Sequence, residues 1–262
     1  MTDADARDEL SELVEGVAEL LRWELIVGST EVAGLPPESS EAGPATAGAG
    51  PETDPETDPE TTTGASDEGP RRDMGGGAEA RLLRLAEEAA ACTRCELHRG
   101  RTRSVFARGN RAAEIVFVGE GPGYHEDQQG LPFVGKAGQL LDRMIGAMGY
   151  GRDEVYICNV VKCRPPDNRT PKPDEAAACA PFLQGQLEVV APRVIVTLGR
   201  CAAENLGCAD PAGGRWRGQW GSYAGIPVMP TYHPAYLLRN PEQKRPVWED
   251  LQKVMGHLGK TR

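Results

Sequence analysis

No stretch of this 262-residue chain approaches the ~20 consecutive apolar residues needed to span a bilayer, which excludes a helical membrane anchor. The N-terminus is acidic and lacks an early apolar core, so neither a secretory signal nor a transit peptide is expected. The seven cysteines are an odd number in a long chain without a signal. That pattern argues against a disulfide framework and for a cytoplasmic protein whose thiols are free or bind metal. Residues 35–77 contain no aromatic residue and almost no large apolar one. They include the tandem Pro-Glu-Thr-Asp at 51–54 and 55–58. Such a composition cannot bury enough surface to offset chain entropy, so a disordered acidic linker is expected.

The chain carries 29 Lys+Arg and 39 Asp+Glu, a net of −10. Taken whole, that balance speaks against a polyanionic partner. The charge is divided, however. Residues 1–80 hold 4 basic and 20 acidic side chains, whereas residues 81–262 hold 25 and 19, a net of +6. Nucleic acid is therefore not excluded for the second part.

Three segments follow: 1–34, 35–77 and 78–262. Over residues 5–27, Leu10, Leu13, Val14, Val17, Leu20 and Leu21 form one helical stripe. This predicts an amphipathic helix that either folds back on the main domain or docks a protein partner. From residue 78 onward, strands at 114–119, 155–161, 193–198 and 226–230 alternate with helical segments. The expected fold is a three-layer α/β/α sandwich around a central four-stranded, mostly parallel sheet. In such folds ligands sit beyond the carboxyl ends of the strands.

Several chemical groups fall at those ends. Gly119-Glu120-Gly121-Pro122-Gly123 follows the first strand and allows a tight turn. It is neither a dinucleotide fingerprint nor a P-loop. Phe133, between Pro132 and Val134 in a loop, could offer a stacking surface or plug the core. Asn159 ends the second strand and could read the edge of a base. His233, followed by Pro234, suits a catalytic imidazole. Cys92, Cys95, Cys163 and Cys179 supply four thiolates, which fit zinc or a [4Fe–4S] cluster. Cys158, Cys201 and Cys208 have no assigned role.

These motifs, in this order, resemble the family-4 uracil-DNA glycosylases, the iron–sulfur branch of the uracil-DNA glycosylase superfamily. The resemblance spans roughly residues 88–258. It is carried by Cys92 to Leu97, Gly119 to Gly123, Gly130 to Gly138, Asn159 to Pro166 and His233 to Arg239. It implies a [4Fe–4S] cluster on Cys92, Cys95, Cys163 and Cys179, and uracil-containing DNA, single- or double-stranded, as partner. It assigns Phe133 to stack on a flipped uracil and Asn159 to bond its edge, with Gly119 and Gly121 also expected to bind substrate. His233 is expected to donate to the leaving base and Glu120 to position water. Leu237, Leu238 and Arg239 are expected to wedge into DNA, and Lys162, Arg164 and Arg169 to meet phosphates. Exclusion of thymine would fall to Gly123 with Glu126 or Tyr124. Where a DNA-cross-linking branch carries a basic insert with a reactive histidine, the stretch 213–222 has Arg215 and Arg217 but no histidine, so ordinary turnover is expected. A monomer is expected. The competing readings are a non-catalytic binder of DNA lesions with the same fold and a zinc-stabilised module unrelated to DNA.

Overall fold

Two β-branched runs, Ile115–Gly119 (β2) and Val194–Leu198 (β4), form the centre of the sheet, and every residue in both is buried. In the computed structural model they pair in parallel with each other, and with Tyr156–Asn159 (β3) and Ile226–Thr231 (β6) on either side. The structure describes residues 76–210, 213–214 and 216–260, together with Ala18, Leu21, Trp23 and Leu25.

The sheet has six strands rather than four. Ala107–Gly109 (β1) pairs antiparallel with β3, and Gly221–Tyr223 (β5) pairs antiparallel with β6. The order is β1-β3-β2-β4-β6-β5. Both added strands are three residues long and contain glycine, so they carry no β-branched periodicity that a sequence reading could detect. The expected sheet was thus too narrow and lacked its antiparallel edges.

Alternation along the strands sends side chains to two cores. Ile115, Phe117, Val194, Val196 and Met229 pack with helices Lys136–Ala147 (α3) and Lys244–His257 (α7). Val116, Val118, Cys158, Ile195 and Val228 pack with Gly76–Ala91 (α1) and Pro173–Val190 (α4). The short helices Tyr124–Gln129 (α2), Arg200–Asn205 (α5) and Pro234–Leu237 (α6) follow β2, β4 and β6. No described helix is long and apolar enough to cross a membrane.

Two units divide the chain, one of Met1–Thr30 with Asp73–Arg262 and one of Glu31–Arg72. The second lies outside the described residues. Of the expected stripe, only Leu21 lies among them, and it is helical and exposed. Trp23, also helical, is 1% exposed and stacks on Trp248 of α7, with ring centroids 4.6 Å apart and planes 17° from parallel.

Candidate active site

Strands β2, β3, β4 and β6 end in register, and the segments leaving them enclose a cleft of about 460 Å³. Glu120, Gly121, Pro122 and Gly123 line one side, Pro165, Asn168 and Arg169 a second, and His233, Ala235, Tyr236 and Arg239 a third. Phe133 and Asn159 also line it.

Asn159 is buried at the end of β3, and its side-chain Oδ1 has no hydrogen-bond partner. A buried acceptor left unpaired is costly, so the site is built for a donor that arrives from elsewhere. Close approach explains Gly119. A Cβ there would collide with Asn159 Oδ1 and come within 2.6 Å of the Phe133 ring. Gly119 therefore makes room beneath the site, although it is not among the residues lining the cleft. Gly121 does line it.

Phe133 is 6% exposed and has a left-handed backbone, φ 55°. Glu126 of α2 holds its loop, since Oε1 accepts from Val134 N at 3.2 Å and Gly135 N at 3.4 Å. A Cβ on Gly138 would collide with the Phe133 carbonyl. The ring lies 5.5 Å from that of His233, nearly parallel at 28°. Phe133 is therefore a fixed wall of the cleft rather than an exposed loop ring.

His233 caps α6. Its Nδ1 accepts from Ala235 N at 3.1 Å, which leaves the ring proton on Nε2. Burial, with the positive charge of Arg239, lowers its pKa to about 4, so the ring is neutral near pH 7. Burial pushes the Glu120 carboxyl above its usual range, against the pull of hydrogen bonds from Thr170 and Cys201. These two partners were not foreseen. Cys201 opens the helix after β4, and only the fold brings that helix beside Glu120.

Away from the cleft, Cys92, Cys95, Cys163 and Cys179 line one small cavity. Arg94 Nε donates to Cys92 Sγ at 3.4 Å, and Arg101 Nη1 to Cys163 Sγ at 3.2 Å and to Cys92 O at 2.9 Å. Burial raises Cys163 and Cys179, while at Cys92 it is outweighed by Arg94 and Arg101, and the thiol is lowered. Among the described residues, no group of three or more His, Cys, Asp or Glu side chains is placed to hold a metal ion.

Residues 106–252 match the family model of the uracil DNA glycosylase superfamily. The chain is 46% identical over 186 residues to a type-4 uracil-DNA glycosylase of Thermotoga maritima, covering 67% of this chain and 94% of that protein. It is 44% identical over 183 residues to one of Saccharolobus solfataricus (66% and 85%) and 42% identical over 186 residues to one of Archaeoglobus fulgidus (67% and 92%). The chain belongs to the uracil DNA glycosylase superfamily.

In this superfamily member the expected DNA-contacting residues separate into two groups. Leu238 is 44% exposed, Arg239 is exposed and lines the cleft, and Arg164 is partly exposed beside the Tyr124 ring. Leu237 is 0% exposed and packs in the core with α7, so it cannot wedge into DNA without unfolding α6. Lys162 is buried as well, with its ammonium bonded internally, and cannot meet a phosphate. Arg169 lines the cleft, but Glu175 holds its guanidinium by two bonds of 2.8 and 2.7 Å. Arg215 lies outside the described residues. Arg217 is engaged by Asp250 Oδ2 at 2.7 Å and Pro246 O at 2.8 Å.

Proposed function

We propose that the chain removes uracil from DNA by hydrolysing its N-glycosidic bond, leaving an abasic site for repair. The observation that carries this reading is the unpaired Oδ1 of Asn159 in a cleft that also holds Phe133, Glu120 and a neutral His233. A glycosylase must take its base out of the stack and close a pocket on it. Uracil N3–H is a donor suited to that acceptor, and the amide NH₂ can donate to O4. Cytosine presents an acceptor at N3 and a donor at C4, so it would leave the amide mismatched, and a site built on such bonds discriminates strongly.

Phe133 supplies the stacking face. As the bond breaks, negative charge gathers on the base and positive charge on the sugar. His233 donates from Nε2 toward the uracil oxygen, acting as a neutral donor whose orientation is already set. Glu120, in its ionised form, orients the attacking water and favours the cationic sugar. Leu238 and Arg239 enter the vacated stack, and Arg164 contributes to phosphate contact. Four thiols lining one cavity are a donor set suited to a [4Fe–4S] cluster, which Cys92, Cys95, Cys163 and Cys179 would hold. Two arginines beside the thiols offset the negative charge that such ligands carry. Held by these four cysteines, such a group would tie the Cys92–Cys95 turn to the segment between Cys163 and Cys179. Dependence on thiolate ligands supports a cytoplasmic setting, where thiols stay reduced.

The test is incubation with uracil-containing single- and double-stranded DNA, followed by alkaline cleavage at abasic sites. Strand cleavage only at the uracil is expected, and intact strands would refute the reading. Anaerobic purification with visible charge-transfer absorption tests the cluster, and a colourless protein containing zinc would refute it.

A further inference from the structure

Lys162 is 1% exposed, and its sequence position links the two sites, three residues after Asn159 and immediately before Cys163. Its Nζ donates to the backbone oxygen of Asn159 at 2.6 Å and to Gln186 Oε1 at 2.6 Å, and faces the Phe106 ring at 5.8 Å. Gln186, on α4, is itself fixed, since Nε2 donates to Phe106 O at 3.0 Å and to the Tyr156 hydroxyl at 3.1 Å. The same lysine lines the cavity of the four cysteines.

Burying an ammonium costs several kcal/mol even when it is well bonded. Methionine would fill much of the same space without that cost. The lysine's internal bonds both go to neutral acceptors, and one of them is the main chain of the residue whose side chain faces the cleft.

We propose that Lys162 is a positioning residue for base reading. It is a buried strut that fixes the carbonyl of Asn159 against α4 and the cysteine wall, and so aims the Asn159 amide. The proposal deepens the glycosylase reading and rests on it. A thiolate-ligated group in the adjacent cavity would supply the negative charge that the strut's own bonding partners lack.

The experiment is a double-mutant cycle on the full chain. Wild type, Lys162→Met, Asn159→Ala and the double variant are assayed on a uracil-containing oligonucleotide. Iron content, thermal midpoint and the salt dependence of DNA binding are measured on each. For Lys162→Met, kcat is expected to fall about tenfold or more, with KM and the salt slope unchanged. The double variant is expected to be no slower than Asn159→Ala alone, because residues acting as a unit are not additive. Multiplied losses overturn the proposal. So does a loss carried by KM with a shallower salt slope, which would make Lys162 a phosphate contact. If Lys162→Met fails to fold or to retain iron, Gln186→Leu carries the same cycle, removing the strut's second anchor while leaving the lysine. Its loss is expected to vanish on the Asn159→Ala background, and a multiplied loss again overturns the proposal. A wild type that releases no uracil fails the glycosylase reading at the first step and removes this proposal with it.

Discussion

The backbone N–H of Ala235 donates to Nδ1 of His233 at 3.1 Å, and that bond sets the tautomer of the imidazole. Nδ1 must stay unprotonated to accept, so Nε2 carries the hydrogen. With the ring's pKa lowered to about 4 by burial and by Arg239, His233 is a neutral donor at physiological pH. Replacing it with alanine is expected to reduce kcat by about a hundredfold, a typical loss for one charge-stabilising donor, with little change in KM. Steady-state kinetics check this.

The same shift makes stability depend on pH. The unfolded ring titrates near 6.5 and the folded ring near 4, so between those values the unfolded chain binds more protons. The contribution is complete above pH 6.5 and is lost as pH falls through about 4. The thermal midpoint of wild type should fall more steeply over this window than that of His233→Gln. Glu120 titrates above its ordinary 4.5, so the acid limb of kcat/KM should begin above that value and flatten in Glu120→Gln.

Gly138→Ala should be severe although it adds one methyl group. The new Cβ would strike the carbonyl of Phe133, which is backbone and cannot swing away. The Phe133 loop must move, at a cost of roughly 1–3 kcal/mol for overpacking, and the stacking face moves with it. Activity should fall further than the thermal midpoint alone explains.

Leu237 and Leu238 are adjacent but should respond differently. Leu237→Ala opens a cavity in the core and should destabilise by about 2–5 kcal/mol. Leu238→Ala should leave the thermal midpoint unchanged and slow uracil release from double-stranded DNA more than from single-stranded DNA. Thermal unfolding and parallel assays on the two substrates separate the effects.

Trp23 is stacked on Trp248 and buried. Trp23→Ala should cost about 3–5 kcal/mol, seen as a lowered thermal midpoint and a red shift of tryptophan emission. Cutting the chain at residue 77 would therefore damage the core as well as remove acidic charge. The charge is better tested by changing the ten Asp and Glu of 31–72 to Asn and Gln at constant length. Affinity for DNA at low salt should rise, and the rise should fade as salt screens it.

The sequence by itself determined the parallel centre of the sheet and most of the cleft. β2 and β4 are buried on both faces and therefore read as continuous apolar runs, and Asn159 and His233 fall where such strands must end. Cys92, Cys95, Cys163 and Cys179 were legible as a set from residue type. The edge strands were not, because three residues with a glycine carry no periodicity. Only the tertiary structure decided which side chains face inward. Lys162 and Leu237 sit in segments that read as DNA-facing, and both are turned into the protein by their local backbone. Lys162 sits just beyond β3, where its ammonium finds acceptors on Asn159 and Gln186. Leu237 lies on the inner side of a single helical turn, with Leu238 on the outer side. Chain order places residues near one another, but the direction each side chain takes depends on contacts with segments distant in sequence, and those contacts form only on folding.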